Sequence, residues 1–262
     1  MSPKDVLNAT LVKRIEVAPG LVIFCVKPHQ GVPNFEPGQY VALGLPGSAS
    51  RPPEFPSEPA GCDPDKYIKR SYSVASSPLC KEHLEFYIAI VPTGALTSRL
   101  AGLKEGDQLH CAPKIVGTFV TKDVDPGHDL MLISTGTGIA PFLAMLRTPS
   151  IWTPGRKISI VHGVRYAHDL AYREELEALA RNNPNFAYHA IVSRQDPKWS
   201  GHHGYVQHLF EREVIVPDPN RQHVFLCGNP KMVEDVTAVL GPKGYKEHSR
   251  RDPGNLHLEK YW

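Results

Sequence analysis

Apolar positions in the first 120 residues recur in short alternating or continuous runs, broken at close intervals by Gly, Pro, Asn and Asp. These runs predict strands over 11–17, 21–26, 39–45, 69–75, 84–91 and 107–112. Several short strands punctuated in this way predict a small closed antiparallel β-barrel. Between the third and fourth, residues 46–64 hold six prolines together with Gly, Ser and Ala. Such a segment lacks ladder donors and has little to bury, so it is expected to leave the barrel as a surface excursion.

After Pro126 the pattern changes period. Apolar strand-like runs at 130–134, 158–162, 186–192 and 224–227 alternate with helical patterns at 139–146, 172–181, 205–212 and 230–240. That alternation predicts a parallel sheet flanked by helices, the α/β architecture of a nucleotide-binding domain. The change of rhythm lies near 118–127, so domains 1–120 and 121–262 are expected. No internal repeat and no coiled-coil heptad is present.

A chain of 262 residues suits two domains of ordinary size. Its 29 Lys and Arg are interspersed with 27 Asp and Glu for a net charge of +2, which excludes the basic stripe of a nucleic-acid binder. Residues 1–12 lack the apolar stretch of an export signal and no window approaches a membrane span, so a cytoplasmic monomer is expected, with no membrane partner. The five cysteines, at 25, 62, 80, 111 and 227, never fall in a Cys-x2-Cys spacing, which excludes an iron–sulfur cluster held by this chain. An odd count without an export signal also argues against a disulfide framework. His202, His203 and His208 lack the i, i+4 spacing of a helical metal site, and no metal is expected.

Chemistry enters with two motifs. Arg70-Ser71-Tyr72-Ser73, on a predicted strand, offers a cation for a diphosphate, a flat ring for an isoalloxazine face and a hydroxyl near the reactive flavin nitrogen. Downstream, Gly94-Ala95-Leu96-Thr97 brings a backbone that can approach a diphosphate, with Thr97 placed to cap a short helix, to donate to a phosphate oxygen, or both. In the second domain, Gly136-Thr137-Gly138-Ile139-Ala140-Pro141 turns from a strand into a helix, where exposed N–H groups and the helix dipole would face a pyrophosphate or a nicotinamide ribose. Val164-Arg165 and Ser193-Arg194 end the next two strands at the same carboxyl edge, where the arginines are either phosphate ligands or solvated surface charges. Cys227-Gly228-Asn229-Pro230, followed by Lys231-Met232, ends the fourth strand. There the thiol is either a small buried hydrophobe or part of the floor beneath a nicotinamide ring.

Taken in this order, the motifs resemble the FAD-dependent ferredoxin (flavodoxin)–NADP reductases, especially their compact bacterial branch, over nearly the whole chain. The resemblance implies a flavoprotein oxidoreductase with an FAD-binding β-barrel and an NADP-binding α/β domain. It places Arg70, Ser71, Tyr72, Ser73, Tyr87, Ala95, Leu96, Thr97 and Thr137 around FAD, with Tyr261 and Trp262 of the aromatic tail covering the cofactor. It places Val164, Arg165, Ser193, Arg194, Cys227, Gly228, Asn229, Pro230 and Met232 around NADP(H). Ser73, Cys227, Glu259 and Tyr261 are the implied catalytic group. Where some bacterial relatives have Gly-Arg, this chain has Gly204-Tyr205, and Tyr205-x-Gln207 is similar to the Tyr-x-Gln that other relatives set on the 2′-phosphate. The implied partner is a ferredoxin, a flavodoxin or both. The alternatives are the reductase component of an oxygenase and a flavin subunit relaying electrons within a larger complex.

Overall fold

The computed structural model describes residues 6–57 and 63–260, which divide into two compact units. One holds the residues up to Val120 together with Leu143–Thr148, and the other holds Thr121–Phe142 and the residues from Pro149 onward.

The first unit is a six-stranded antiparallel sheet in the order β4-β3-β6-β1-β2-β5. Its strands are β1 (Ala9–Ala18), β2 (Leu21–Pro28), β3 (Tyr40–Pro46), β4 (Tyr67–Ser73), β5 (Leu84–Ala89) and β6 (Gln108–Cys111). The two outer strands meet where Ala75 N, just past β4, donates to Glu85 O at 2.8 Å, so the sheet closes on itself as the expected barrel. Alternation decides what fills it. Val22, Phe24 and Val26 of β2 stand opposite Ile88, Phe86 and Leu84 of β5, and all six are buried in one apolar core. The intervening pairs, Cys25 with Glu85 and Ile23 with Tyr87, lie on the other face.

The Pro-rich excursion is not loose at its root. Gly47 N donates to Lys66 O at 2.7 Å, and Arg51 Nε donates to Ser98 Oγ at 2.8 Å. Arg99, only 2% exposed, donates from Nε to Gly47 O at 3.2 Å and from Nη1 to Ala95 O at 2.7 Å. A buried guanidinium needs such acceptors to offset its lost hydration. The excursion is thereby tied to the one-turn helix α1 (Thr97–Leu100).

The second unit carries a six-stranded sheet in the order β10-β9-β8-β7-β11-β12. Its strands are β7 (Asp129–Thr135), β8 (Ile158–Val164), β9 (Phe186–Val192), β10 (His202–His203), β11 (Gln222–Gly228) and β12 (Leu256–Lys260), all parallel to their neighbours. The central strand β7 is buried from Asp129 to Ser134, the near-continuous burial of a parallel strand covered on both faces. Helices α2 (Ala140–Leu146), α3 (Arg173–Asn182), α4 (His208–Glu211) and α5 (Pro230–Leu240) follow their strands as the pattern predicts. Met232, Val233, Val236 and Leu240 supply the buried stripe of α5.

Two parts of the reading change. The helix expected over 205–212 is only the single turn α4, because Tyr205, Val206 and Gln207 are taken up by a turn after Gly204, whose φ is +121°. In addition, residues 256–260 form the edge strand β12, which the apolar pattern did not announce. The last residues of α2 with Arg147 and Thr148 group with the barrel, where Arg147 Nη1 donates to Glu85 Oε1 at 2.7 Å and to Ala75 O at 3.0 Å.

Candidate nucleotide and flavin sites

In the second unit the chain passes from β7 to β10 on one side of the sheet and returns to β11 and β12 on the other, so the topology switches between β7 and β11. Ligands of such sheets bind outside the carboxyl ends at that switch. Here two glycine turns meet. Gly136, with φ +53°, opens a 3-10 turn (Gly136–Ile139) that leads into α2. A Cβ on Gly138 would stand 2.3 Å from Cys227 O, and one on Gly228, with φ +137°, would stand 2.5 Å from Thr135 Oγ1. Only glycine allows both turns to close. Thr135 Oγ1 accepts from Asn229 N at 3.0 Å, and Asn229 Oδ1 accepts from Lys231 N at 2.8 Å, capping α5 with Pro230 in its first turn.

His162, which the motifs did not single out, holds this crevice from below. It is fully buried, and its Nε2 lies 3.0 Å from Gly136 O, a contact that requires the proton on Nε2. Burial pushes it down to about 4, opposed by the Gly136 contact, so the ring is neutral at ordinary pH.

Cys227 is fully buried, and its thiol lies 3.7 Å from Glu259 Oε2 on β12. The two residues are register partners of β11 and β12, so the strand missed in the sequence is what brings the carboxylate to the thiol. Gly228 ends β11, while Met232 and Val164 are buried in apolar clusters of this unit, beneath the surface the coenzyme would touch.

At the other side of the edge, backbone bonds draw the strand ends together. Ser193 N donates to Val164 O and Arg194 N to Arg165 O, both at 2.9 Å, and Gly204 N donates to Val192 O at 2.9 Å. Arg165, Arg194 and Tyr205 are exposed here, with Gln207 half-buried beside them. Arg165 Nε also lies 3.6 Å from Asp169 Oδ2. Tyr205 is edge-on to His208 at 5.7 Å.

In the barrel, Arg70 and Ser71 of β4 are exposed, Tyr72 is half-buried and edge-on to Phe86 at 6.5 Å, and Ser73 is buried. Burial raises the Tyr72 phenol well above its usual range. Tyr87 is buried on β5. Thr97 does not cap α1, whose N-cap position is Leu96 without a side-chain bond. Its hydroxyl donates instead to Val91 O at 2.9 Å, and a Cβ on Gly94 would stand 2.4 Å from the Thr97 Oγ1. The single hydroxyl proton is thus spent on the preceding strand's end, and the N–H groups of residues 95–97 are what this turn offers a phosphate. Thr137 is buried in the crevice turn. Tyr261 and Trp262 lie outside the described residues.

The family model for the oxidoreductase NAD-binding domain matches residues 132–238. The chain is 36% identical to a ferredoxin–NADP reductase of Pseudomonas aeruginosa, over 87% of this chain and 86% of that one. It is 32% identical to the flavodoxin/ferredoxin–NADP reductase of Escherichia coli, over 92% and 93%. Among solved structures, a ferredoxin NADP+ reductase from Neisseria gonorrhoeae with bound FAD and NADP superposes with a TM-score of 0.79, at 25% identity and 97% coverage of both chains. No helix among the described residues is long and apolar enough to cross a membrane.

Proposed function

This chain belongs to the ferredoxin–NADP reductase family, and we propose that it passes electrons between NADP(H) and a one-electron protein carrier, a ferredoxin or a flavodoxin. The observation that carries the reading is the glycine crevice between β7 and β11, where Gly138 and Gly228 let two turns pack against each other with no room for a side chain, at the switch point where sheets of this kind bind a dinucleotide. Bound FAD supplies the conversion between a hydride and single electrons.

The residues divide the remaining work. Arg70, Ser71, Tyr72, Ser73 and Tyr87 orient the flavin on the barrel, and the backbone of Ala95, Leu96 and Thr97 meets its diphosphate. Tyr261 and Trp262 cover the rest of the cofactor. Arg194, with Ser193, Tyr205 and Gln207, holds the 2′-phosphate that distinguishes NADPH from NADH, and Arg165 holds the pyrophosphate. Gly228, Asn229 and Pro230 frame the nicotinamide side, where the Cys227 thiol, oriented by Glu259, excludes water and sets the ring's approach. Val164 and Met232 support these turns from the core.

Stopped-flow mixing of the purified flavoprotein with NADPH and with NADH, then with a reducible ferredoxin or flavodoxin, tests the assignment. Rapid bleaching of the flavin by NADPH, followed by reduction of the carrier, is expected. A flavin that stays oxidised with both coenzymes overturns it.

A further inference from the structure

On the face of β2 and β5 opposite the apolar core, the face that also carries Tyr87, three side chains of different metal-binding chemistry converge. Cys25 and Glu85 are cross-strand partners on β2 and β5, and His83 stands two positions before Glu85, so strand alternation brings all three to one face. One ligand atom from each, the Cys25 sulfur, an imidazole nitrogen and a carboxylate oxygen, lie within 4.8 Å of one another. Among the described residues, this is the group of three or more such side chains that meets this spacing.

We propose that Cys25, His83 and Glu85 form a binding site for a borderline-soft divalent cation, with Zn2+ as the type. The donor set decides the class: one thiolate, one imidazole and one carboxylate suit Zn2+, whereas Ca2+ and Mg2+ ask for oxygen ligands throughout. Three protein ligands leave a fourth position for water, the pattern of an open rather than a closed zinc site.

The surroundings set how the site is used. Cys25 is 4% exposed and its thiol is raised by burial to about 11, so the sulfur keeps its proton until a cation displaces it; a metal–sulfur bond then forms and the proton leaves to solvent. Arg147 donates to Glu85 Oε1 at 2.7 Å, which holds the carboxylate in place while adding a positive charge that an arriving cation must tolerate. The backbone is already drawn in. Cys80 Sγ donates to His83 O at 3.5 Å, and Glu85 N donates to Ser76 Oγ at 3.1 Å, so the loop bearing His83 is closed before any ion arrives. An ion there would clamp β2, β5 and the end of that loop, two residues along β5 from Tyr87.

The test uses the FAD-loaded full chain and Cd2+ as a spectroscopic stand-in for Zn2+, because the ultraviolet charge-transfer band of a Cd–thiolate reports sulfur ligation directly. One band equivalent per protein is expected, along with a rise in melting temperature on adding Zn2+. Cys25→Ala should abolish the band. His83→Gln, at a half-exposed position that endangers folding least, should weaken Cd2+ and Zn2+ at least about tenfold. Cys80→Ser should keep both signals. A band that survives in Cys25→Ala, or His83→Gln binding as tightly as the parent protein, overturns the proposal.

Discussion

Gly138 presses against the carbonyl of Cys227 so closely that a methyl group in place of its hydrogen would stand 2.3 Å from that oxygen. Two turns from separate strands are thus built as one object, and neither can be altered alone. Gly138→Ala must displace the Cys227 carbonyl by roughly 1 Å, a shift on the scale that can cost on the order of a hundredfold in rate. The expected outcome is retained FAD with much slower flavin reduction by NADPH, read by stopped-flow absorbance. An unchanged reduction rate would count against the crevice.

Arg194 sits exposed at the end of β9 with its amide bonded to Arg165 O. A charged hydrogen bond to the 2′-phosphate contributes roughly 1.5–3 kcal/mol, or on the order of ten- to a hundredfold in affinity. Arg194→Ala should weaken NADPH by that factor and leave NADH nearly unchanged in equilibrium titrations. Equal losses for both coenzymes would reassign the arginine to the shared pyrophosphate.

Arg99 forks between Gly47 O and Ala95 O while almost fully buried. Lysine keeps the charge but cannot place donors in both directions, so Arg99→Lys leaves an acceptor unmet at a cost of roughly 1–3 kcal/mol. Because Ala95 belongs to the turn proposed to meet the FAD diphosphate, FAD should dissociate more readily. Fluorescence of released flavin on dilution measures it.

Four histidines gather in the second unit. His257 stacks on Phe225 at 4.1 Å and on His248 at 4.5 Å, its Nε2 lies 2.9 Å from His223 Nδ1, and His128 is edge-on to His223 at 5.3 Å. Burial, with the neighbouring His248 and His223 adding to it, pushes His257 from 6.5 down to about 3, and burial lowers His223 as well. A base whose folded value lies below its unfolded one takes up protons on unfolding. Stability is therefore complete above pH 6.5 and declines as the pH falls from there toward about 3. His257→Phe should flatten the acid limb of melting temperature against pH, followed by circular dichroism. A limb of unaltered slope would place the acid sensitivity elsewhere.

How much of this was legible in the residues follows from physical scale. The barrel strands and the βα alternation were readable because each buries a face long enough to leave a period, as in Val22, Phe24 and Val26. Strand β12 was not, since Leu256-His257-Leu258-Glu259-Lys260 is a short edge strand whose pairing depends on β11. Thr97 misled because a cap and a bond back to Val91 look alike in sequence; only the close packing of Gly94 on its hydroxyl separates them. His162 carried no local signal either, as its role depends on Gly136, 26 positions earlier in the chain.

The sheet of the second unit keeps two kinds of business at opposite rims. The proposed coenzyme contacts lie where the strands end, at Gly138, Arg165, Arg194 and Gly228, while the histidine stack gathers where they begin, around His128, His223 and His257. A lineage moving into a more acidic habitat can therefore retune its tolerance at one rim by exchanging imidazoles for hydrocarbon rings. Its choice of coenzyme at the other rim stays free to drift on a separate evolutionary clock.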